Sequence, residues 1–353
     1  MKIKQLTFTR FLAAISIVVF HFGKKSFLFN NTIVKSLFFN ADVCVSYFFI
    51  LSGFVMIIAY KNKSFISAKD YYVNRFARIY PLYFLSILLT LFLQIRTDIV
   101  DFLGLFLNIL MLQAWVPVEF WSFNPPGWSL SVEFFFYAIF PFLFNRILKK
   151  KSLKKISLLI VLFWFFSQLF TQILFLFYSE SKLIGINGTP LLHLNEFLIG
   201  NLAGLFFVKK WHKREGNYDL QILMLFGLFL IVLKIPFQLN YLNGLLAILF
   251  IPLITLISLN NGFITKLFEK KVFVFLGEIS YGIYILQFPI YSLISAYSVK
   301  KYLQITEPTV VFFLRLIVLI VVSALSYVFL EKPIMEKIKT KKGIASIVSN
   351  LSL

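Results

Sequence analysis

The sequence predicts an all-α, polytopic integral membrane bundle of about ten transmembrane helices, with one re-entrant or interfacial element and both termini in the cytoplasm. Three observations predict it. The chain of 353 residues is 59% hydrophobic with a mean hydropathy of +0.85, whereas soluble domains are roughly 45–50% apolar. Its 46 Phe exceed what a water-soluble core can hide, so part of the surface must face lipid. Its Lys and Arg are bunched between the apolar runs rather than spread along them.

The apolar runs fall at 6–22, 38–60, 79–95, 102–116, 132–147, 156–178, 194–208, 219–234, 240–259, 273–297 and 309–330. The basic segments 61–78, 146–155, 209–218, 260–272 and 331–353 belong on the cytoplasmic side by the positive-inside rule. If every run crossed, 61–78 and 146–155 would lie on opposite sides. Removing 102–116 restores agreement. That run is short for a span of about 20 residues, holds Asn108 and Gln113, and is followed by "VPVEFWSFNPPG". Residues 102–131 are therefore expected to enter and return on the outer face. The cytoplasmic segments then carry 26 of the 35 Lys and Arg. The first 22 residues resemble a signal peptide, but no small-x-small cleavage site follows and further spans do, so a retained first helix is expected. The organisation predicted is one membrane domain over 1–335 and a short basic cytoplasmic tail over 336–353.

The formal charge of +20 is explained by topology, so the bilayer is the expected partner and nucleic acid is not. A single cysteine, Cys44, can form no intrachain disulfide. His21, His193 and His212 are too scattered to read as a zinc site, and no metal is expected.

Several ionisable residues sit where lipid should be. In "RFLAAISIVVFHFG" (10–23) Arg10 and His21 are eleven positions apart, a rise of roughly 16 Å with an angular offset of about 20° on a helix. They share one stripe, Arg10 at the cytoplasmic mouth and His21 toward the outer half. In "RFARIYPLY" (75–83) Arg75 and Arg78 are three apart and face the same way. Paired guanidiniums suit phosphate, although positive-inside charge alone also accounts for them. In "NPPGWSLSVEFFFY" (124–137) the Pro-Pro-Gly breaks the chain, Ser129 or Ser131 can cap the helix that opens, and Glu133 falls in its first turn. In "YVFLEKPIMEK" Glu331 ends the last span. Glu278 and Arg315 are further embedded charges, and such groups favour bundle interiors and functional sites.

Together these segments resemble the bacterial acyltransferase-3 family of integral membrane acyltransferases, which includes O-acetyltransferases of surface polysaccharides. "RFLAAISIVVFH" is similar to the family's first-helix pattern, met here by Arg10 and His21. "SYFFILSGFVM" (46–56), the Arg75–Arg78 pair, "WSLSVEFFFY" with Trp128 and Glu133, "EFLIGNLAG" (196–204), "ISYGIYIL" (279–286) and "YVFLEKP" (327–333) follow in family order. One departure stands out: many members carry a His where this chain has Gln287, so His21 is left as the candidate imidazole. The extra C-terminal esterase-like domain of some members is not seen in the sequence.

The resemblance implies an acyl-CoA donor, most simply acetyl-CoA, with no permanently bound cofactor. It implies a carbohydrate hydroxyl as acceptor and residence in the bacterial cytoplasmic (inner) membrane. Arg10, Arg75 and Arg78 would hold the CoA phosphates. His21 would be the general base, since an imidazole of unperturbed pKa about 6.5 suits proton removal from a hydroxyl. Glu133 would orient the ring or stabilise its cation, with Trp128, Glu331 and Arg315 in support. A polysaccharide flippase or other multi-span transporter is the alternative, with Arg10, Glu133, Glu278 and Arg315 forming a polar pathway.

Overall fold

The computed structural model describes residues 3–31, 34–178, 185–235 and 237–338; the basic tail beyond 338 lies outside the described residues. The helices that carry the architecture are α1 (Gln5–Phe22), α2 (Cys44–Tyr60), α3 (Ala68–Ile95), α4 (Phe102–Ile109), α5 (Gly127–Phe142), α6 (Leu153–Phe177), α7 (Pro190–Phe206), α8 (Asp219–Lys234), α9 (Ala247–Leu259), α10 (Lys271–Leu293) and α11 (Pro308–Ser326). Among the described residues no β-strand forms; Gly216 and Asn260 make an isolated bridge. The chain is an all-α membrane bundle, as its composition requires.

Eight helical segments among the described residues are long and apolar enough to cross a membrane: Gln5–Phe22, Ala41–Tyr60, Ala68–Ile95, Gly127–Leu148, Leu153–Phe177, Gly185–Trp211, Lys271–Leu293 and Pro308–Ile338. The other two expected spans are α8 and α9, of 16 and 13 residues. At 1.5 Å per residue these reach about 24 and 20 Å, short of a hydrocarbon core of about 30 Å. The shortening has a local cause. Residues 240–246, read as part of an apolar run, are not helical, and Asn243 and Gly244 take φ of 61° and 100°. Their backbone carbonyls are captured by α6: Gln172 Nε2 donates to Asn240 O at 2.7 Å and Gln168 Nε2 to Asn243 O at 2.8 Å.

Residues 102–126 form no crossing helix. α4 has eight residues and is followed by short 3₁₀ turns at Gln113–Trp115 and Pro117–Glu119. Asn108 organises the return. Its Nδ2 donates to Gly104 O at 2.9 Å and to Ser122 O at 3.3 Å, and its carbonyl accepts from Tyr83 Oη at 2.9 Å. Gln113 Nε2 donates to Tyr83 Oη at 3.1 Å. The polar pair that marked this segment in the sequence thus pins it to α3. Ser129 and Ser131 do not cap α5: they donate to the carbonyls of Pro126 and Met111, and the helix starts behind Pro126 with no side-chain cap.

Helix pairs meet through glycine. A Cβ on Gly200 would lie 2.1 Å from the carbonyl oxygen of Ile50, and one on Gly53 would lie 2.2 Å from that of Phe197. α2 and α7 therefore touch backbone to backbone, the packing that small residues allow where lipid removes any hydrophobic drive between helices. α1 meets α10 the same way, with a Gly277 Cβ position 2.1 Å from Thr7 O. Gly227, on α8, has nothing within 4 Å of its Cβ position.

Gly200→Ala is expected to destabilise the purified protein by about 1–3 kcal/mol through overpacking. Gly227→Ala is expected to be neutral or to stabilise by roughly 0.5–1 kcal/mol. Thermal unfolding in detergent distinguishes them; equal effects would mean that the α2–α7 contact is not close-packed. For topology, single cysteines at 98 and 122, introduced after replacing Cys44, are expected to label from the same outer side. Labelling from opposite sides would make 102–131 a crossing.

Candidate active site

Three arginines converge inside the bundle. Arg10 comes from α1, and Arg75 and Arg78 from successive turns of α3. Arg78 is within electrostatic range of Arg10, Arg75, Glu133 and Tyr137, yet keeps an exposed surface, while Arg10 and Arg75 are half-buried. Arg75 lies over the rings of Tyr71 and Tyr137 at 5.8 and 5.7 Å. Glu331 is 4% exposed and within range of both Arg78 and Arg10. It stands on the π-helical turn Tyr327–Glu331 that follows α11. Such turns re-aim side chains at functional sites, and this one directs the carboxylate inward. The Nε atoms of Arg10 and Arg75 and Oε1 of Glu331 are buried without a hydrogen-bond partner.

Glu133 belongs to this cluster. Its Oε1 accepts from Ser52 Oγ at 3.1 Å and from Tyr137 Oη at 2.5 Å. His21 lies farther along α1, and its ring is bonded to a different residue: Nδ1 is 2.8 Å from Oε1 of Gln287, on α10. Gln287 Nε2 donates to Tyr284 O at 2.7 Å, and Tyr284 Oη pairs with Ser129 Oγ at 2.8 Å, one turn before Glu133. The rings of Phe20, Phe22 and Phe288 surround His21 at 5.0, 6.0 and 5.0 Å. Arg315 lies beyond. Its guanidinium stacks on Tyr291 at 4.1 Å and donates to the Tyr291 carbonyl.

The structure therefore brings Arg10, Arg75, Arg78, Glu133 and Glu331 together and leaves His21 and Arg315 toward the other end of α1 and α10. Trp128 joins neither group. Its ring packs on Phe120 at 4.8 Å and on His193 at 5.3 Å. His193 in turn binds Glu196 through Nδ1 at 2.6 Å, at exposures of 3% and 0%. His193 fits no zinc spacing in the sequence, and its pairing with Glu196 is not among the sequence-based expectations. The signal available was a His and a Glu three apart on one helix, which face the same way. Tyr137 is likewise not anticipated, since no charge pattern marks it.

A model of the acyltransferase-3 family, described as an acyltransferase domain, matches residues 3–328. This chain belongs to that family. It is similar to acyltransferase MdmB of Streptomyces mycarofaciens, 30% identical over 44% of this chain and 42% of that protein. It is similar to the proposed O-acetyltransferase SACOL0978 of Staphylococcus aureus (strain COL), 24% identical over 96% of this chain and 57% of that one. The peptidoglycan O-acetyltransferase OatA of Listeria monocytogenes is 25% identical over 92% of this chain and 54% of its own length. The chain thus spans about half the length of these relatives. No solved structure matches it.

Removing either member of the His193–Glu196 pair is expected to leave a buried polar atom without its partner, at about 1–3 kcal/mol. His193→Leu and Glu196→Leu should each lower the unfolding temperature, and the double variant should cost less than their sum. Additive losses would mean that the two side chains do not support one another.

Proposed function

We propose that this protein is a membrane acyltransferase that moves an acyl group, first an acetyl group, from acyl-CoA to a hydroxyl of a cell-surface carbohydrate or its lipid-linked precursor. It would reside in the bacterial cytoplasmic membrane. Membership of the acyltransferase-3 family and the names of the relatives support the reaction class. The observation that carries the residue assignment is the convergence of Arg10, Arg75 and Arg78 around Arg78's accessible face, with His21 on the same helix as Arg10.

Three guanidiniums held close together repel one another, and Glu331 and Glu133 offset only part of that charge. An anion with several oxygens relieves the repulsion, and guanidinium forks match phosphate. The buried Nε atoms of Arg10 and Arg75 supply unused donors. CoA is such an anion at one end and a thioester at the other. His21, eleven residues from Arg10, stands at a distance of about 16 Å along the helix, suited to an extended pantetheine arm. Its Nε2 removes the proton of the acceptor hydroxyl. The oxygen attacks the thioester carbonyl, the new C–O bond forms and the C–S bond breaks. The imidazolium then returns the proton to the departing thiolate, so that ester and CoA thiol are the products. Glu133 serves the arginines rather than the imidazole, because its partners are Ser52, Tyr137 and the field of Arg78.

The test uses inside-out membrane vesicles of the source bacterium, which carry their own acceptor, with labelled acetyl-CoA. His21→Ala should leave acetyl-CoA binding intact and lower transfer by about 10²–10⁴. Arg75→Ala and Arg78→Ala should weaken acetyl-CoA binding by roughly 1.5–3 kcal/mol per lost charged hydrogen bond, and Arg10→Ala should recover part of its turnover at high donor concentration. Wild-type transfer by His21→Ala would remove the base assignment. Unchanged acetyl-CoA affinity in the Arg75/Arg78 double variant would return these residues to topology.

A further inference from the structure

Gln287, on α10, is fully buried. Its amide is held at both ends. Nε2 donates to the carbonyl of Tyr284 at 2.7 Å, which fixes the amide so that Oε1 faces Nδ1 of His21 at 2.8 Å. Turning the amide over would set its oxygen against the Tyr284 carbonyl oxygen, two acceptors in contact. An amide oxygen only accepts, so the ring nitrogen facing it must carry the proton. In neutral imidazole the lone pair then lies on Nε2, at the opposite edge of the ring.

The mount is rigid. Tyr284 Oη is tied to Ser129 at 2.8 Å, and Asn124 Nδ2 donates to the Ile285 carbonyl at 3.1 Å. Both bonds brace the turn of α10 that carries Gln287 against α5 and the loop before it. Three aromatic rings restrict rotation of the imidazole. The charged groups around this end are Lys24, within electrostatic range of the ring, Asp42, within range of Lys24, and Arg315 on α11, whose guanidinium is 5.8 Å from the Phe22 ring. Among the described residues the hydrogen bond to the ring comes from Gln287.

We propose that Gln287 is a positioning residue for transfer, whose amide oxygen holds His21 in the Nδ1-protonated tautomer so that Nε2 is the atom that takes and returns the acceptor's proton. The proposal rests on the assignment of His21 as base. Through the cycle Nδ1 keeps its hydrogen, and the proton that moves passes from the hydroxyl to Nε2 and on to the thiolate sulfur.

Two variants and one spectrum test it on the full chain. Gln287→Leu removes the acceptor; transfer in the vesicles should fall about 10–100-fold, the usual loss when the group orienting a histidine is removed, with acetyl-CoA binding unchanged. Gln287→Glu keeps an acceptor and adds charge. It should retain transfer, with the low-pH limb of kcat/KM moved to higher pH, because a carboxylate stabilises the imidazolium and the base then frees its lone pair only at higher pH. A residue that merely filled space would leave that limb where it was. The 15N spectrum of protein labelled at histidine, assigned with His21→Gln, should place the His21 proton on Nδ1 in the wild type and release that preference in Gln287→Leu. The proposal is overturned by a wild-type proton on Nε2, by an unmoved limb in Gln287→Glu, or by full transfer in Gln287→Leu while His21→Ala is inactive. If both His21→Ala and Gln287→Leu transfer normally, it is the base assignment that fails, and the spectrum still decides the tautomer.

Discussion

Glu331, Arg10 and Arg78 come from three different helical segments and lie within electrostatic range of one another, with Glu331 buried and Arg78 keeping an exposed surface. A lone charge in hydrocarbon costs several kcal/mol. The three must therefore stay near one another. This requirement fixes more than the local charges. It links the π-helical turn after α11 to α1 and α3 through Glu331, Arg10 and Arg78, and Glu133 of α5 reaches the same spot, held by Ser52 and Tyr137. Four segments far apart in sequence are thereby brought to one centre.

The rest of the bundle delivers His21 at a set distance from that centre. α1 carries both Arg10 and His21, so their separation follows from helix geometry and nothing else. What varies between possible folds is what each end meets. Close contact at Gly277 brings α10 against α1, and the same helix presents Gln287 to His21 farther along. The polar line from Glu133 through Ser129, Tyr284 and Gln287 to His21 crosses an otherwise aromatic interior. Buried polar groups of this kind are stable only when satisfied, and here each side chain between Ser129 and His21 has a partner.

A second polar nucleus, His193 with Glu196, Gln168 with Asn195 and Asn243, sits around the start of α7. Trp128 packs on it. Its part is architectural: it fastens the non-helical 240–246 segment to α6 and α7 and shortens α9. That is why a run that reads as lipid-compatible in the sequence does not become a full-length helix. Trp128 sits in the same motif as Glu133, five residues away, yet the two belong to different centres because one turn and a half of helix rotates them apart.

The sequence by itself determined the class of the protein, because hydropathy on this scale leaves only helices in lipid, and it marked the run after residue 102 as one that would not form a crossing helix, because Asn108, Gln113 and the Pro-Pro-Gly break are costly in hydrocarbon; the expected bounds of 102–131 ran five residues too far, since the crossing helix α5 already begins at Gly127. It also determined that Arg10 and His21 share a stripe and that Arg75 and Arg78 face together, since helical periodicity alone sets both. Only the tertiary structure decided which charges meet. Glu133 could have reached His21 or the arginines, and it joined the arginines because α5 packs so that Ser52 and Tyr137 bracket its carboxylate. Gln287 read as a missing histidine, and packing made it the hydrogen-bond partner of the one that remains. Periodicity fixes the direction a side chain takes from its own helix; the neighbour it finds there depends on how glycine-scale contacts set the helices against one another, and no single segment encodes that.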